Sequence, residues 1–85
     1  MKGQPIAKVE PMKNGIVVVT FDTGNTVAVD MKPSFKGFRF GVLENEEIWE
    51  TAGTDGGFIF WYKNGMAVAE LAYNEIMRMV LGESY

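Results

Sequence analysis

Two short runs of this 85-residue chain are apolar at every position, Ile16–Val19 and Phe58–Tyr62. A strand that is apolar on both faces has to be covered on both sides of its sheet. An Asn-Gly pair precedes the first run and another follows the second, and this pair readily adopts the positive φ angles of a tight hairpin turn. The sequence therefore predicts β-hairpins whose strands lie in a protein core.

The first half of the chain predicts a three-stranded antiparallel meander. The segment Ile6–Met12 follows one proline and contains another, which suits an edge strand. Ile16–Phe21 is the predicted central strand, because both of its faces are apolar. Thr26–Asp30 alternates two valines with other residues and completes the meander.

The second half predicts a short helix and a second hairpin. The helix runs from Glu46 to about Thr51, with Asn45 as its N-cap and acidic residues in its first turn, where the helix dipole favours negative charge. The hairpin joins Phe58–Tyr62 to Met66–Ala69. A Lys-Asn-Gly turn connects its two strands.

A C-terminal amphipathic helix is predicted from about Glu70 to Leu81. Its apolar side would carry Ala72, Tyr73, Ile76 and Val80, with Met77 and Met79 on the two rims. Together the elements predict a single α+β domain over residues 1–85. Two helices can hardly cover both faces of a five-stranded sheet, so either the long central loop or a second chain must cover one face.

The composition excludes several classes of site. With no cysteine and no histidine, the chain has no disulfide, no ordinary zinc or haem site, and no thiol or histidine catalysis. Glu44, Glu46, Glu47 and Glu50 form the densest acidic cluster, which we interpret as a solvated first helical turn rather than a metal site. We therefore expect no enzyme activity, no cofactor and no bound metal.

One segment is similar to a nucleic-acid-binding motif. Lys36–Val42 shares a lysine, a glycine and two phenylalanines with the first ribonucleoprotein signature of RNA-recognition motifs, whose aromatic rings stack on bases. A stacking site would use Phe38, Arg39 and Phe40. The net charge of −3 and the pI near 4.8 have the wrong sign for phosphate binding, so buried or loop phenylalanines are the favoured interpretation.

The chain shows no targeting segment. Its longest apolar runs have four and five residues, whereas a membrane-spanning helix needs about 20. The N-terminus has no apolar stretch typical of a secretory signal. We expect a cytoplasmic, soluble protein.

The remaining feature of the sequence that bears on function is its content of apolar and aromatic residues beyond what one core needs. Aromatic residues and methionine are enriched at protein interfaces. We therefore predict that Trp61, Tyr62, Met77 and Met79 contact a partner chain, in a homodimer or with a small protein partner.

Several segments, taken in order, resemble a bacterial family known as domain of unknown function 2442. They are Val9–Pro11, Thr20–Gly24, Val29–Pro33, Lys36-Gly37, Leu43–Trp49, Asp55–Gly57, Ile59, Trp61 and Asn64-Gly65, and the similarity extends from about Lys8 to Met77. The chain departs from the family in its second hairpin turn, which is one residue longer and lacks a proline. The acidic residue common after Asn-Gly in the family is replaced by Met66.

The resemblance implies a small α+β domain with no catalytic residue. Some members of that family are fused to a helix-turn-helix domain. Others are encoded next to a second small protein, in pairs interpreted as toxin–antitoxin modules, so the resemblance implies an interaction with another protein. Our first hypothesis is a non-enzymatic interaction module, similar to the antitoxin-like member of such a pair. The alternative is a small nucleic-acid-binding regulator, and a carboxylate-based enzyme is the third hypothesis, for which the sequence offers no convergent pair.

Overall fold

The computed structural model describes residues 5–81 and confirms a small α+β domain built mostly from strands. Short 3-10 turns connect several of the elements. The strands and helices are β1 (Ile6–Pro11), β2 (Ile16–Phe21), β3 (Thr26–Asp30), α1 (Glu46–Trp49), β4 (Gly53–Thr54), β5 (Phe58–Lys63), β6 (Met66–Ala72) and α2 (Tyr73–Val80).

The first sheet is the predicted antiparallel meander, in the order β1-β2-β3. Its central strand carries Val17 and Val19, which are fully buried, and Val17 pairs with Val29 of β3. The turn before β2 has positive φ angles at Asn14 and Gly15, as the Asn-Gly pair predicts. Local turn chemistry and the apolar central strand therefore account for this half of the fold.

The second sheet is separate from the first and has the order β4-β5-β6. The expected single five-stranded sheet is wrong, because the two-residue strand β4 pairs with β5 and makes a second three-stranded unit. The sheets are joined by a hydrogen bond from the Ile6 amide to the Gly56 carbonyl, at 2.8 Å. Within the second sheet, the Tyr73 amide donates to the Gly57 carbonyl at 3.0 Å and so continues the pairing of β6 with β5.

The C-terminal helix begins at Tyr73 rather than near Glu70. Glu70–Ala72 extend β6 instead, because they pair with β5, where Phe58 lies opposite Ala72. The first turn of α2 is stabilised by Glu75, whose carboxylate accepts a hydrogen bond from the Ala72 amide at 3.0 Å. The three residues that were expected to begin this helix, 70–72, therefore belong to strand β6.

The core lies between the inner faces of the two sheets and the segments packed on them. The central loop, residues 31–45 between β3 and α1, contributes two aromatic rings to the core. Phe35 contacts Trp49 edge to face at a centroid distance of 5.7 Å, and Phe40 contacts Trp61 in the same way at 6.4 Å. This loop thus covers the inner side of the second sheet. The buried core residues are Ile6, Val17, Val19, Val29, Met31, Phe40, Leu43, Ile48, Trp49, Ile59, Trp61, Ala69, Leu71 and Ile76.

Helix α1 is only four residues long and is held by its cap. The side chain of Asn45 accepts hydrogen bonds from the amides of Glu47 and Ile48, at 2.9 and 3.4 Å, which confirms the predicted N-cap. The hydroxyl of Thr51 closes the other end by donating to the Ile48 carbonyl at 2.6 Å. Between residues 5 and 81, no helix has the length and apolar character needed to cross a membrane.

Candidate functional site

Three aromatic side chains form a row on the outer face of the second sheet. Phe58, Phe60 and Tyr62 alternate along β5 with Ile59 and Trp61, which are fully buried on the inner face. The rings of Phe58 and Phe60 stack at a centroid distance of 5.7 Å, and those of Phe60 and Tyr62 lie 6.3 Å apart. We call Phe58, Phe60 and Tyr62 the aromatic ridge.

Small residues flank the aromatic ridge on the neighbouring strands. Phe60 lies opposite Gly53 of β4, Phe58 opposite Ala72 of β6, and Tyr62 opposite Ala67 of β6. These neighbours have short side chains or none, whereas on β6 the longer Glu70 lies opposite Phe60. Phe60 and Tyr62 are half-buried. Phe58 remains 37% exposed.

The same sheet exposes further apolar surface on its edge strand. Within residues 5–81, β6 pairs with β5 alone, and the pairing is interrupted by a bulge at Val68. Val68 and Met66 of β6 are exposed, Met66 to 71%. Exposed apolar side chains on one hairpin of a small domain are typical of an interaction surface.

The expected contact of Trp61 with a partner chain is wrong. Its side chain points inward, is 0% exposed and stacks on Trp49 at 5.8 Å, so another protein cannot reach it. Tyr62, the next residue, lies on the outer face and is half-buried. Because side chains alternate along a strand, Trp61 and Tyr62 lie on opposite faces of the sheet, although the sequence analysis predicted that both contact a partner.

Met77 and Met79 lie on α2, away from the aromatic ridge. Met79 packs against the core and lines a shallow depression with Val27–Asp30 of β3, in the other sheet. Met77 is half-buried. Val80, expected on the apolar side of the helix, is instead 42% exposed. The four predicted partner-binding residues therefore do not form one surface.

The residues of the nucleic-acid alternative are not presented as a stacking platform. Phe40 is buried in the core against Trp61, whereas Phe38 is fully exposed in the loop. Arg39 lies over the Phe40 ring at 4.8 Å and binds both carboxylate oxygens of Glu75, one at 2.7 Å. The structure leaves a single aromatic ring available, and the arginine is committed to an internal ion pair.

The ion pair between Arg39 and Glu75 ties the central loop to the last helix. The Nη2 atom of Arg39 also donates a hydrogen bond to the Glu70 carbonyl, at 2.9 Å. Hydrogen bonding to Arg39 lowers the pKa of Glu75 below its ordinary value, and the Ala72 amide lowers the pKa further, against the opposing effect of partial burial. The pair therefore holds both the loop and the start of α2.

A groove opens beside the turn between β1 and β2. It has a volume of about 710 Å³ and runs between this turn and α1. Its apolar lining includes Met12, Phe35, Leu43 and Trp49, and its polar lining includes Lys13, Lys32, Glu44, Glu46 and Glu50. Apart from the acidic residues, no pattern in the sequence predicts this groove, because its walls come from three separated segments, residues 11–15, 32–35 and 43–50.

Three of the four glutamates of the acidic cluster, Glu44, Glu46 and Glu50, line this groove, and Glu47 does not. Glu46 and Glu47 occupy the first turn of α1, as expected for carboxylates near a helix N-terminus. In the part of the chain that the structure describes, no group of three or more His, Cys, Asp or Glu side chains is arranged to hold a metal ion.

Comparison with known proteins adds no relative: no family model, no curated protein and no solved structure matches this chain.

Proposed function

We propose that this protein is a non-enzymatic interaction module that acts through the aromatic ridge. The observation that carries the proposal is the row of three rings on the outer face of the sheet, of which Phe58 is exposed and Phe60 and Tyr62 are half-buried, on a hairpin that also exposes Met66 and Val68. Burying one aromatic side chain contributes about 1.5–3 kcal/mol, a large amount for a domain of this size. Association offers that stabilisation to a chain that has no disulfide.

The occupant that fits the ridge best is a second copy of this chain. The row of rings lies beside Gly53, Ala67 and Ala72, which leave shallow depressions next to it, and Glu70 is the one long side chain paired with the row. Two such surfaces related by a twofold axis can interdigitate, because the ridge of one copy then lies over the small residues of the other. Glu70, which lies opposite Phe60, is on the edge strand β6, where its carboxylate can stay at the hydrated rim of an interface.

Cysteine cross-linking tests where the two copies meet. The chain contains no cysteine, so a single introduced thiol can form a disulfide only between two molecules. We expect at least one of the variants Ala67→Cys and Ala72→Cys, which lie opposite Tyr62 and Phe58 and keep all three rings, to form a covalent dimer rapidly under mild oxidation, since a disulfide needs Cβ atoms about 4 Å apart. Phe38→Cys is the control, because Phe38 is an exposed phenylalanine outside the ridge. Equal rates at Phe38 and at both positions beside the ridge would contradict the proposed interface.

The proposal extends to the antitoxin-like member of a bacterial two-protein pair. The resemblance noted from the sequence supports this extension, and the absence of histidine and cysteine supports a role without catalysis. Co-expression with the product of the neighbouring gene tests the idea: the two chains should purify as one complex through a tag on either. Separate elution of two folded proteins would contradict the pairing, and would leave the ridge to be judged by the cross-linking result.

A further inference from the structure

The groove beside the β1–β2 turn has the size and lining of a binding site. Its volume of about 710 Å³ falls within the range of about 300–1,000 Å³ that ligand-binding pockets occupy. Met12, Phe35, Leu43 and Trp49 supply apolar lining, and Met12 is 46% exposed. The groove does not include any residue of the aromatic ridge, so it is a second surface.

Hydrogen bonds fix the walls of the groove in place. The indole nitrogen of Trp49 donates to the Met12 carbonyl at 2.8 Å and so ties α1 to the turn. The ammonium group of Lys32 donates to the Asn14 carbonyl of the same turn at 2.7 Å and pairs with Asp30 at 3.1 Å. A site whose walls are already held needs less ordering when it binds a ligand.

The charges around the groove are unbalanced. Three carboxylates, those of Glu44, Glu46 and Glu50, line it, and none of the salt bridges between described residues involves them. Lys32 is already paired with Asp30, which leaves Lys13 as the cation on the lining that has no salt bridge among the described residues. The groove therefore complements a ligand that combines positive charge with an apolar body.

We propose that this groove binds an extended segment of a partner protein in which an aliphatic or aromatic residue is flanked by lysine or arginine. The apolar side chain would occupy the space against Met12, Phe35 and Leu43. The flanking cations would lie beside Glu46 and Glu50, which are one helical turn apart on the same face. The apolar contact supplies most of the affinity, and the rim charges select the sequence and its direction.

An unbiased peptide library provides the test. A display library of random peptides is selected on the immobilised full-length protein, and an enriched peptide is then synthesised with a fluorescent label for anisotropy titration. We expect enriched sequences to place Lys or Arg within two positions of a Leu, Ile, Phe or Trp. Enrichment of acidic or uncharged sequences, or no enrichment above the bare support, would overturn the proposal.

Charge reversal on α1 locates the binding. The double variant Glu46→Lys and Glu50→Lys should weaken binding of the selected peptide by about tenfold or more, since each change removes an attraction and adds a repulsion. Glu47→Lys is the matched control, because Glu47 lies in the same first turn, is exposed and does not line the groove. It should change the affinity by less than about twofold. Equal weakening by the control, or no weakening by the double variant, would overturn the proposed site.

Sedimentation of the same variants separates this inference from the proposed dimer. A second copy in the groove would make the double charge-reversal variant monomeric, and that result would overturn the peptide proposal. If the peptide binds as expected while the ridge variants show no effect on association, the groove proposal stands and the dimer fails. The two claims rest on different residues and fail separately.

Discussion

The indole rings of Trp49 and Trp61 stack in the core at a centroid distance of 5.8 Å and an angle of 20°. Trp49 comes from α1 and Trp61 from β5, so the stack joins the short helix to the second sheet. Their N–H groups differ: that of Trp49 donates to the Met12 carbonyl at 2.8 Å, whereas that of Trp61 is buried without a partner among the described residues. The same type of side chain is thus satisfied in one position and unsatisfied a few ångströms away.

This difference predicts unequal costs for the same substitution. Trp49→Phe removes ring contacts and the hydrogen bond to Met12, and should lower the free energy of unfolding by about 2–4 kcal/mol. Trp61→Phe also removes ring contacts but relieves a buried polar group, so it should cost about 1–2 kcal/mol less. Urea denaturation of both variants, followed by circular dichroism, measures the difference. An equal or larger cost for Trp61→Phe would show that its N–H group is satisfied in solution.

The two Asn-Gly turns provide a second matched pair. Gly15 and Gly65 both have positive φ angles, of 71° and 81°. An added Cβ at Gly15 would lie 2.6 Å from the Lys32 Cγ atom, whereas nothing lies within 4 Å of one at Gly65. Gly65→Ala should therefore cost only backbone strain, about 1 kcal/mol, and Gly15→Ala about 1–3 kcal/mol more.

Thermal or urea unfolding of the two glycine variants checks this prediction, with the wild-type chain as reference. The contact with Lys32 and Phe35 accounts for the expected difference, because the backbone conformation is shared. If the two variants were equally stable, Lys32 would move away without cost, and the wall of the groove would be less firmly held than the hydrogen bonds indicate.

The ion pair between Arg39 and Glu75 predicts a pH-dependent contribution to stability. Because the folded state lowers the pKa of Glu75 below its ordinary value of 4.5, the carboxylate stabilises the fold above that pH, and this stabilisation is lost as the pH falls through the lowered pKa. The Glu75→Gln variant, which keeps the shape, should be less stable than the wild type by about 1 kcal/mol at pH 7. The difference should shrink between pH 5 and pH 3, within roughly the range around the ordinary Glu pKa.

Unfolding of the wild type and of Glu75→Gln across this pH range checks the prediction. Asp30, whose pKa is also lowered, by the Lys32 amide first and its side chain second, is present in both proteins and cancels in the comparison. A constant difference from pH 7 to pH 3 would show that the charge of Glu75 does not contribute.

We predict that the protein alone does not bind nucleic acid with useful affinity. The net charge is −3, Arg39 is paired with Glu75, and Phe40 is buried, so only Phe38 could stack on a base. Titration of a labelled single-stranded oligonucleotide at physiological salt measures this. Sub-micromolar binding that weakens steeply with salt and is lost in Phe38→Ala would contradict it.

Local sequence signals predicted the elements whose causes are local. The Asn-Gly pairs gave both hairpin turns, and Asn45 gave the start of α1, because a cap and a turn depend on a few adjacent residues. The start of α2 was wrong by three residues, since Ala72 offers no side-chain cap and the pairing of β6 with β5 decided the boundary. The pairing of two strands depends on both segments, so the sequence of one segment alone does not predict where the pairing ends.

The candidate surfaces were harder to predict for a different reason. Phe58–Tyr62 is apolar at every position, so its alternation does not reveal which side chains face the core, and a shift of one residue exchanges the two sets. The structure places Ile59 and Trp61 inside and the aromatic ridge outside. The groove brings together Met12, Phe35 and Trp49, which are far apart in the sequence, and only the folded chain shows their proximity.

Sedimentation velocity tests the central claim, association through the aromatic ridge, most directly. The wild type at low micromolar concentration should sediment as a dimer of the 9.5 kDa chain, and Phe60→Ser should sediment as a folded monomer, with circular dichroism confirming the fold. Phe38→Ser, which alters an exposed phenylalanine outside the ridge, should remain dimeric. A wild type that sediments as a clean monomer, or a dimer that survives Phe60→Ser, would contradict the account.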